Sequence, residues 1–392
     1  MALGRDKFTR TAFLVFIFLS LVSLFADMTY EGARSMIGPY LEYIEAMAVI
    51  AGVVSIGELV SYLSRGLGGF IAGASRSSKV YWALVYLGYG INLIVVPLMG
   101  LFERWEIVLA LIMIERLGKG LRAPARDVIL SEVTKNIGRG KAFGFHELMD
   151  QLGAVLGPMI ASFALYTRGY MEAFLVLAVP AVMSIIMLFS ANRLYPKIES
   201  VEVSKKGTKA RSLPKIFWNF TLAAVFMSLG FVSWFFLSYY FRAEAFPDYI
   251  IPLMYSIAML SDGIVAFPVG LMYDRVGVKA LLITPIVIMS ILPLVLLRSY
   301  VWIIVGVILW GLVMGFYETV MRAFIADVIE TELRSYAYGI YGVLYGVSWT
   351  FGNVIIALLY QCNVLRYAPI YVVVVELIAL IILVKIAISV QR

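Results

Sequence analysis

Gly270-Leu-Met-Tyr-Asp274-Arg275-Val-Gly277-Val-Lys279 joins two strongly apolar runs, at about 248–273 and 277–297. Each run is long enough for the roughly 20 residues that a helix needs to cross a bilayer. The glycines suit a place where two helix ends approach closely, and Asp274 is placed to cap a neighbouring helix or to pair with an arginine. The segment therefore reads as the turn of a helical hairpin that crosses a membrane twice. The alternative is a solvated turn whose Asp274 and Arg275 serve only topology.

Outward from this turn the same pattern fills the chain. Of 392 residues, 62% are hydrophobic and only 15% charged, against about 25% charged in an ordinary soluble domain. A water-soluble globular protein is excluded. Apolar runs at about 11–42, 46–72, 79–101, 104–131, 140–168, 170–192, 214–241, 248–273, 277–297, 300–328, 333–362 and 364–388 predict twelve transmembrane helices and an all-α membrane protein. One cysteine, Cys362, and one histidine, His146, exclude an intramolecular disulfide framework and a multi-histidine metal site.

Charge sets orientation. The N-terminus, the even-numbered connections and the tail hold 19 Lys and Arg; the odd-numbered connections hold 5: Arg104, Arg168, Arg242, Arg298 and Arg366. By the positive-inside rule both termini lie in the cytoplasm of a multi-pass cell-membrane protein. The net charge of +7 is thus an orientation signal and no nucleic-acid partner is expected. Arg5 to Arg10 and the apolar run after them imitate a signal peptide, but Asp27 and Glu31 stand where a small-residue cleavage site belongs, so the run is read as a retained first span.

The longest polar stretch, Asn192 to Lys215, falls between spans 6 and 7. It divides the chain into bundles at 1–192 and 214–392 joined by a cytoplasmic linker at 193–213. The two bundles echo each other: Arg126 to Ser131, then Arg139, Gly144, Gly153 and Gly157 run parallel to Arg322 to Asp327, then Arg334, Gly339, Ser348 and Gly352. A pseudo-symmetric duplication of six spans is the simplest account.

With these features in place, Gly270 to Lys279 is similar to the G-x-x-x-D-R-x-G-x-[RK] loop of the major facilitator superfamily. The equivalent loop after span 2, Gly69 to Lys79, keeps its first glycine and its bases, Arg76 and Lys79, but lacks the acid. Arg116-Leu-Gly-Lys119-Gly120-Leu-Arg122-Ala123 resembles the R-x-x-Q-G-x-G-A pattern of proton-coupled members, with Lys in the Gln place and Arg in a Gly place. Gly153-Ala-Val-Leu-Gly157-Pro158 resembles the G-x-x-x-G-P pattern of antiporters. Leu24 to Glu31, ending in Gly38-Pro39, together with the span 4 and span 5 stretches, is similar to prokaryotic drug:proton antiporter-like carriers. The resemblance implies a major facilitator fold, alternating access, a small-molecule substrate and a monomer.

Ionisable residues deep in a span are costly, at about 2.5 kcal/mol or more each, unless paired or facing water. Asp27, Glu31 and Arg34 at i, i+4 and i+7 share one face of span 1, which lines the central cavity in that superfamily. Two carboxylates one turn apart repel when both are ionised, so one of them is suited to carry a proton; alternatively Arg34 neutralises Glu31 in a static pair. Asp150 lies about 16 Å of helix beyond Arg139 and shares a face with Gly153 and Gly157, glycines suited to tight packing. Asp262 in span 8 has a similar depth. These two acids either share a proton or bind a cation, or else pair within their own halves with Arg65, Arg116 or the backbone.

Glu115, Arg116 and Lys119 of span 4 and Glu318 and Arg322 of span 10 are repeat-related cavity candidates; Glu115 and Arg116 cannot share a face, so at least one points to another helix, and Glu318 with Arg322 at i, i+4 is alternatively a satisfied helix pair. By repeat symmetry Arg322 or the start of span 5 is the expected partner of Asp274. His146 reads as a packed residue, and Glu376 is an isolated acid among valines. Among the aromatics of span 7 and span 10, Trp234 and Tyr317 are the strongest candidates for lining a cavity that takes an amphipathic or cationic solute. No Walker sequence and no hydrolase motif occurs, so neither an enzyme nor a cofactor is expected. The resulting expectation is efflux in exchange for protons through Asp27, Glu31, Asp150 and Arg116. Proton-coupled uptake of a small nutrient is the first alternative, and a membrane scaffold or sensor the second.

Overall fold

In hydrocarbon every backbone N–H and C=O must be satisfied within the segment, so apolar runs of this length can only be helices. The computed structural model describes residues 2–75, 77–134, 139–195, 197–198, 212–330 and 333–389, with backbone alone at 2–10, 139, 140, 143 and 335. Most of the expected linker, Arg76 in the loop after span 2, and Lys135 lie outside the described residues. The described chain is helical with no strand.

Helices for all twelve expected spans can be followed among the described residues. Span 1 is α1 (Ala2–Tyr43), and span 2 is interrupted into α2 (Ala48–Val53) and α3 (Ile56–Ser75). Spans 3, 4 and 5 are α4 (Ser78–Leu98), α5 (Trp105–Val133) and α6 (Arg139–Arg168), and span 6 is α7 (Tyr170–Val176) followed by α8 (Ala178–Leu194). Span 7 is α9 (Lys215–Gly230) and α10 (Trp234–Ala243), and span 8 is α11 (Ile250–Val276). Spans 9 to 12 are α12 (Ile283–Leu296), α13 (Tyr300–Val328), α14 (Arg334–Gln361) and α15 (Ala368–Ser389). By length and hydropathy alone ten stretches qualify, because Ile250–Leu296 joins two spans and α5 is too charged to count. That charge on α5 is the first pointer to function.

Four spans differ from the sequence expectation, among them span 6, which is interrupted at Leu177. Span 9 begins as a 3₁₀ turn, Gly277–Leu282, and becomes α-helical only at Ile283. Span 2 is broken at Val54 and Ser55. Span 7, expected as one helix, stops at Gly230 and restarts at Trp234.

The described residues form two compact units. One comprises Met1–Met36 with Val60–Lys206; the other comprises Ile37–Leu59 with Gly207–Arg392. In the first, α4 packs along α5 and against α8, and α6 against α7. In the second, α11 and α12 pack on α13, α9 packs on α14 and α15, and α2 lies against α14. The end of span 1 is fastened inside this second unit. Glu42 pairs with Arg242, which also holds Asp248 at 3.0 Å, and the Tyr239 hydroxyl donates to the Ala46 carbonyl at 2.8 Å.

Candidate functional site

The first unit gathers charge on the inward faces of α1, α5 and α6. Asp27, Glu31 and Arg34 are each buried, on the shared face that their spacing dictates. Glu31 meets Arg34 at 3.5 Å on its own helix and Lys119 of α5 at 3.6 Å. The ammonium of Lys119 also sits 4.0 Å above the Tyr30 ring. Arg122, one turn further along α5, is 2% exposed and lies 3.9 Å over the Tyr89 ring and 5.7 Å from that of Tyr30, with its Nη1 buried and without a hydrogen-bond partner. Sequence reasoning noted Arg122 only as a departure from a glycine pattern. A guanidinium inside a hydrocarbon span was the signal that should have singled it out.

Asp27 makes no ion pair among the described residues, although Asp150, Lys119, Glu31 and Arg122 all lie within electrostatic reach of it. Gly153 of α6 packs against the Asp27 Cβ and the Leu24 carbonyl, and Gly157 packs against Met28, so any side chain at either glycine would strike α1. The expected close packing of this glycine pair is thus made with span 1, at the acid itself. Pro158 is buried behind it. Asp150 lies one turn before Gly153 and 3.9 Å from His146. His146 is packed as expected, with its ring nitrogens 3.1 Å from Ser23 and 3.4 Å from Ser20.

The other charges of α5 are committed elsewhere. Glu115 and Arg116, expected on different faces, meet at 2.8 Å, both buried, and the Asn92 amide of α4 donates to Glu115. Flexible side chains bend back across neighbouring positions, which the angular argument from spacing ignored. Arg65 pairs with Asp127 at 3.2 Å and Arg126 with Asp127 at 2.9 Å. Among the described residues the ion pair of Asp150 is made with His146.

In the second unit the hairpin turn works differently from expectation. Asp274, Arg275 and Lys279 are exposed, and Asp274 pairs with neither Arg322 nor any other described base. Instead the neighbouring Tyr273 hydroxyl donates to Asp327 of α13 at 2.7 Å. Gly270 makes only ordinary contact with Thr319, at 3.6 Å from where a Cβ would stand, and Gly277 has φ +58°, a conformation that ends α11 and that side chains disfavour. Gly277 is needed for its backbone angle rather than for close approach.

The break in span 7 is built from neutral groups. Phe231 is extended and Ser233 caps α10, its Oγ accepting from the Phe236 N–H at 3.4 Å. Asn353 of α14 accepts from the Ser233 N–H at 2.6 Å and donates to the Phe231 carbonyl at 3.3 Å. Trp310 donates to the Val232 carbonyl at 2.8 Å, and Tyr371 to that of Leu229 at 3.1 Å. Around this break Phe231 packs with Trp310, Tyr317 and Trp349 at ring separations of 5.5, 5.5 and 5.2 Å, and Trp234 with Tyr255 at 4.9 Å. Trp234 and Tyr317 are both buried, and neither the indole N–H nor the phenol has a partner. Glu318 is half-buried and Arg322 exposed. Asp262 packs against Gly315. Beyond the break, Tyr239, Tyr240 and Tyr360 line an open cavity of about 790 Å³ with Glu244 and Arg298.

Comparison with known proteins follows the same lines. The family model of the Major Facilitator Superfamily matches residues 19–246 and 245–390. An uncharacterized protein of Mycobacterium tuberculosis is 31% identical over 377 residues, covering 93% of this chain and 91% of its own length. An uncharacterized MFS-type transporter of Methanocaldococcus jannaschii is 27% identical over 349 residues, covering 84% of each. Among solved structures, the nucleoside transporter NupG superposes with a TM-score of 0.73 at 14% identity, over 96% of this chain and 99% of its own. A POT family transporter in complex with 5-aminolevulinic acid superposes with a TM-score of 0.75, also at 14% identity, over 95% and 96%. An all-helical described chain with ten stretches long and apolar enough to cross a membrane agrees with a family match spanning nearly the whole sequence: the chain belongs to the Major Facilitator Superfamily of membrane transporters.

Proposed function

We propose that this transporter exports a small amphipathic or cationic solute in exchange for protons by alternating access, as a monomer in the cell membrane with both termini in the cytoplasm. The observation that carries this reading is Asp27: a buried carboxyl with no ion pair among the described residues, at the point where the Gly153–Gly157 face of α6 rides on α1. A shift of α6 along α1 changes its distance from Asp150 and from the cations of α5, and with it the affinity for a proton. A substrate cation arriving from the cytoplasm competes with that proton for the same charge, which is the elementary requirement of antiport. Glu31, held between Arg34 and Lys119, is the weaker proton carrier and keeps Lys119 in place. Trp234 and Tyr317 are candidate ring contacts for the solute.

Lys119 and Arg122 beside the acids favour a second reading, proton-coupled uptake of a small anion. One experiment separates the two. A thermal-shift screen of the purified protein at two pH values identifies a ligand, and that ligand is then loaded into proteoliposomes. Under an inward-directed proton gradient antiport drives it out, whereas symport drives it in. Movement indifferent to the gradient removes proton coupling altogether.

A further inference from the structure

Glu376 belongs to none of the machinery described so far. It lies near the middle of α15 and is 0% exposed, and neither of its carboxyl oxygens has a hydrogen-bond partner. The terminal residue of α9, Gly230, faces it: a methyl group there would overlap Oε1, so the glycine makes the space in which the carboxyl lies. From α13 comes Tyr317, whose buried hydroxyl is also without a partner and lies within reach of the charge on Glu376. From its own helix comes Tyr371, which feels the same charge and whose hydroxyl is spent on the Leu229 carbonyl.

The charged residues on the elements packed against α15 are few. Lys215 opens α9, Lys279 lies in the 3₁₀ turn before α12, Arg366 lies in the 3₁₀ turn before α15, and α12 has none. Lys385 is nine residues further along α15 itself, about 14 Å of helix away. Among the described residues none of them forms an ion pair with Glu376.

An ionised carboxylate so placed, with no donor and no cation, costs several kcal/mol. The negative end of the α9 dipole adds to that cost. A neutral acid serving structure alone would donate its O–H, yet no acceptor receives it here, and an apolar side chain of the same volume would pack better. The position of the group supplies the reason for its presence. It touches the last residue of α9 where span 7 unwinds, beside the tyrosine that packs on Phe231. Releasing the proton puts a negative charge against the negative end of α9, which is repelled, and beside the unpartnered Tyr317 hydroxyl, which is drawn in to donate to it.

We propose that Glu376 is a proton-binding site of the second unit, which gives up its proton to water and takes it back during transport, shifting the break in span 7 each time. The site is independent of Asp27, so either assignment can fail without the other. The test uses the purified full chain in phosphatidylglycerol-containing nanodiscs and needs no substrate. Infrared spectra recorded against pH are expected to show the C=O band of a buried carboxylic acid that fades in one step. Tryptophan fluorescence follows the same step, since Trp310 and Trp349 pack on Phe231. Both signals are expected to vanish in Glu376→Gln, to persist in Asp27→Asn, and to move their midpoint in Gly230→Ala. Tyr317→Phe, which leaves the carboxyl in place, shifts the band frequency and serves should the Gln variant not fold. A step retained in Glu376→Gln, a band that ignores pH until the protein unfolds, a band unmoved by Tyr317→Phe, or a step set by sodium concentration at fixed pH overturns the proposal.

Discussion

In one unit Glu31 lies between Arg34 and Lys119, Glu115 against Arg116, and Asp127 between Arg65 and Arg126; in the other, Glu376 lies among a glycine, two tyrosines and the end of a helix. The first unit offsets Glu31, Glu115 and Asp127 with bases, gives Glu132 the Tyr195 hydroxyl, and leaves Asp27 without an ion pair among the described residues. The second satisfies its broken backbone with an amide, an indole and a phenol, from Asn353, Trp310 and Tyr371. The two units thus handle buried polar groups differently. Under the proposed function, proton occupancy would change the local charge balance of the first, and a helix of the second would bend at a fixed place. The contrast is sharpest at Asp27, and that is where it is easiest to break. Asp27→Asn is expected to lower gradient-driven flux to that of empty liposomes while the protein stays folded. Glu31→Gln, whose cations then have no acid between them, should retain a measurable part. Equal loss in both would mean that Asp27 is no exception.

The next largest effect is expected on stability. Asn353 serves both sides of the break in span 7, and Asn353→Ala leaves a buried N–H and a buried C=O without partners. The cost should be about 2–4 kcal/mol, read as a lower unfolding midpoint in detergent. An unchanged midpoint would show that the break is held by its own local conformation and that the neutral side chains around it are incidental.

Much of this was legible in the sequence because hydrocarbon enforces it. The number of spans, the hairpin turn at Gly270 to Lys279 and the shared face of Asp27, Glu31 and Arg34 follow from apolar run length and the 3.6-residue period. Legibility ended wherever a side chain chose its partner in three dimensions. Glu115 and Arg116 meet despite their angular separation, Asp274 leaves its expected contact to Tyr273 and Asp327, and Arg122 finds two aromatic rings that no local pattern announces. The break in span 7 left a local trace, since Gly230 followed by Ser233 is a helix stop and a helix start within four residues. The surrounding apolar run masked it.

Arg122 offers a smaller test on the charged side of the comparison. Its planar guanidinium over Tyr89 has a desolvated cation–π geometry worth about 2 kcal/mol, part of which an ammonium would keep. Arg122→Lys is therefore expected to destabilise by about 1 kcal/mol and Arg122→Leu by more, because Leu also removes a cation from beside Asp27. If Leu proves as stable as the parent, Arg122 is not held for packing and its role lies with the solute.

The smallest effect expected is that of Ser233→Ala. Its hydroxyl caps α10 through one long bond to the Phe236 N–H, at 3.4 Å, while its backbone N–H is held by Asn353 whatever the side chain. Removing an N-cap hydroxyl costs about 1 kcal/mol, and a bond of this length belongs at or below that figure. The order of the two variants carries the information. If the break is held by partners from α13, α14 and α15, Asn353→Ala must cost clearly more than Ser233→Ala, and the double variant must cost less than their sum, because Asn353 binds the same residue that the cap orders. The reverse order, with Ser233→Ala the more damaging, would make span 7 a helix interrupted by its own sequence. The second unit would then lose its claim to a hinge set by its neighbours.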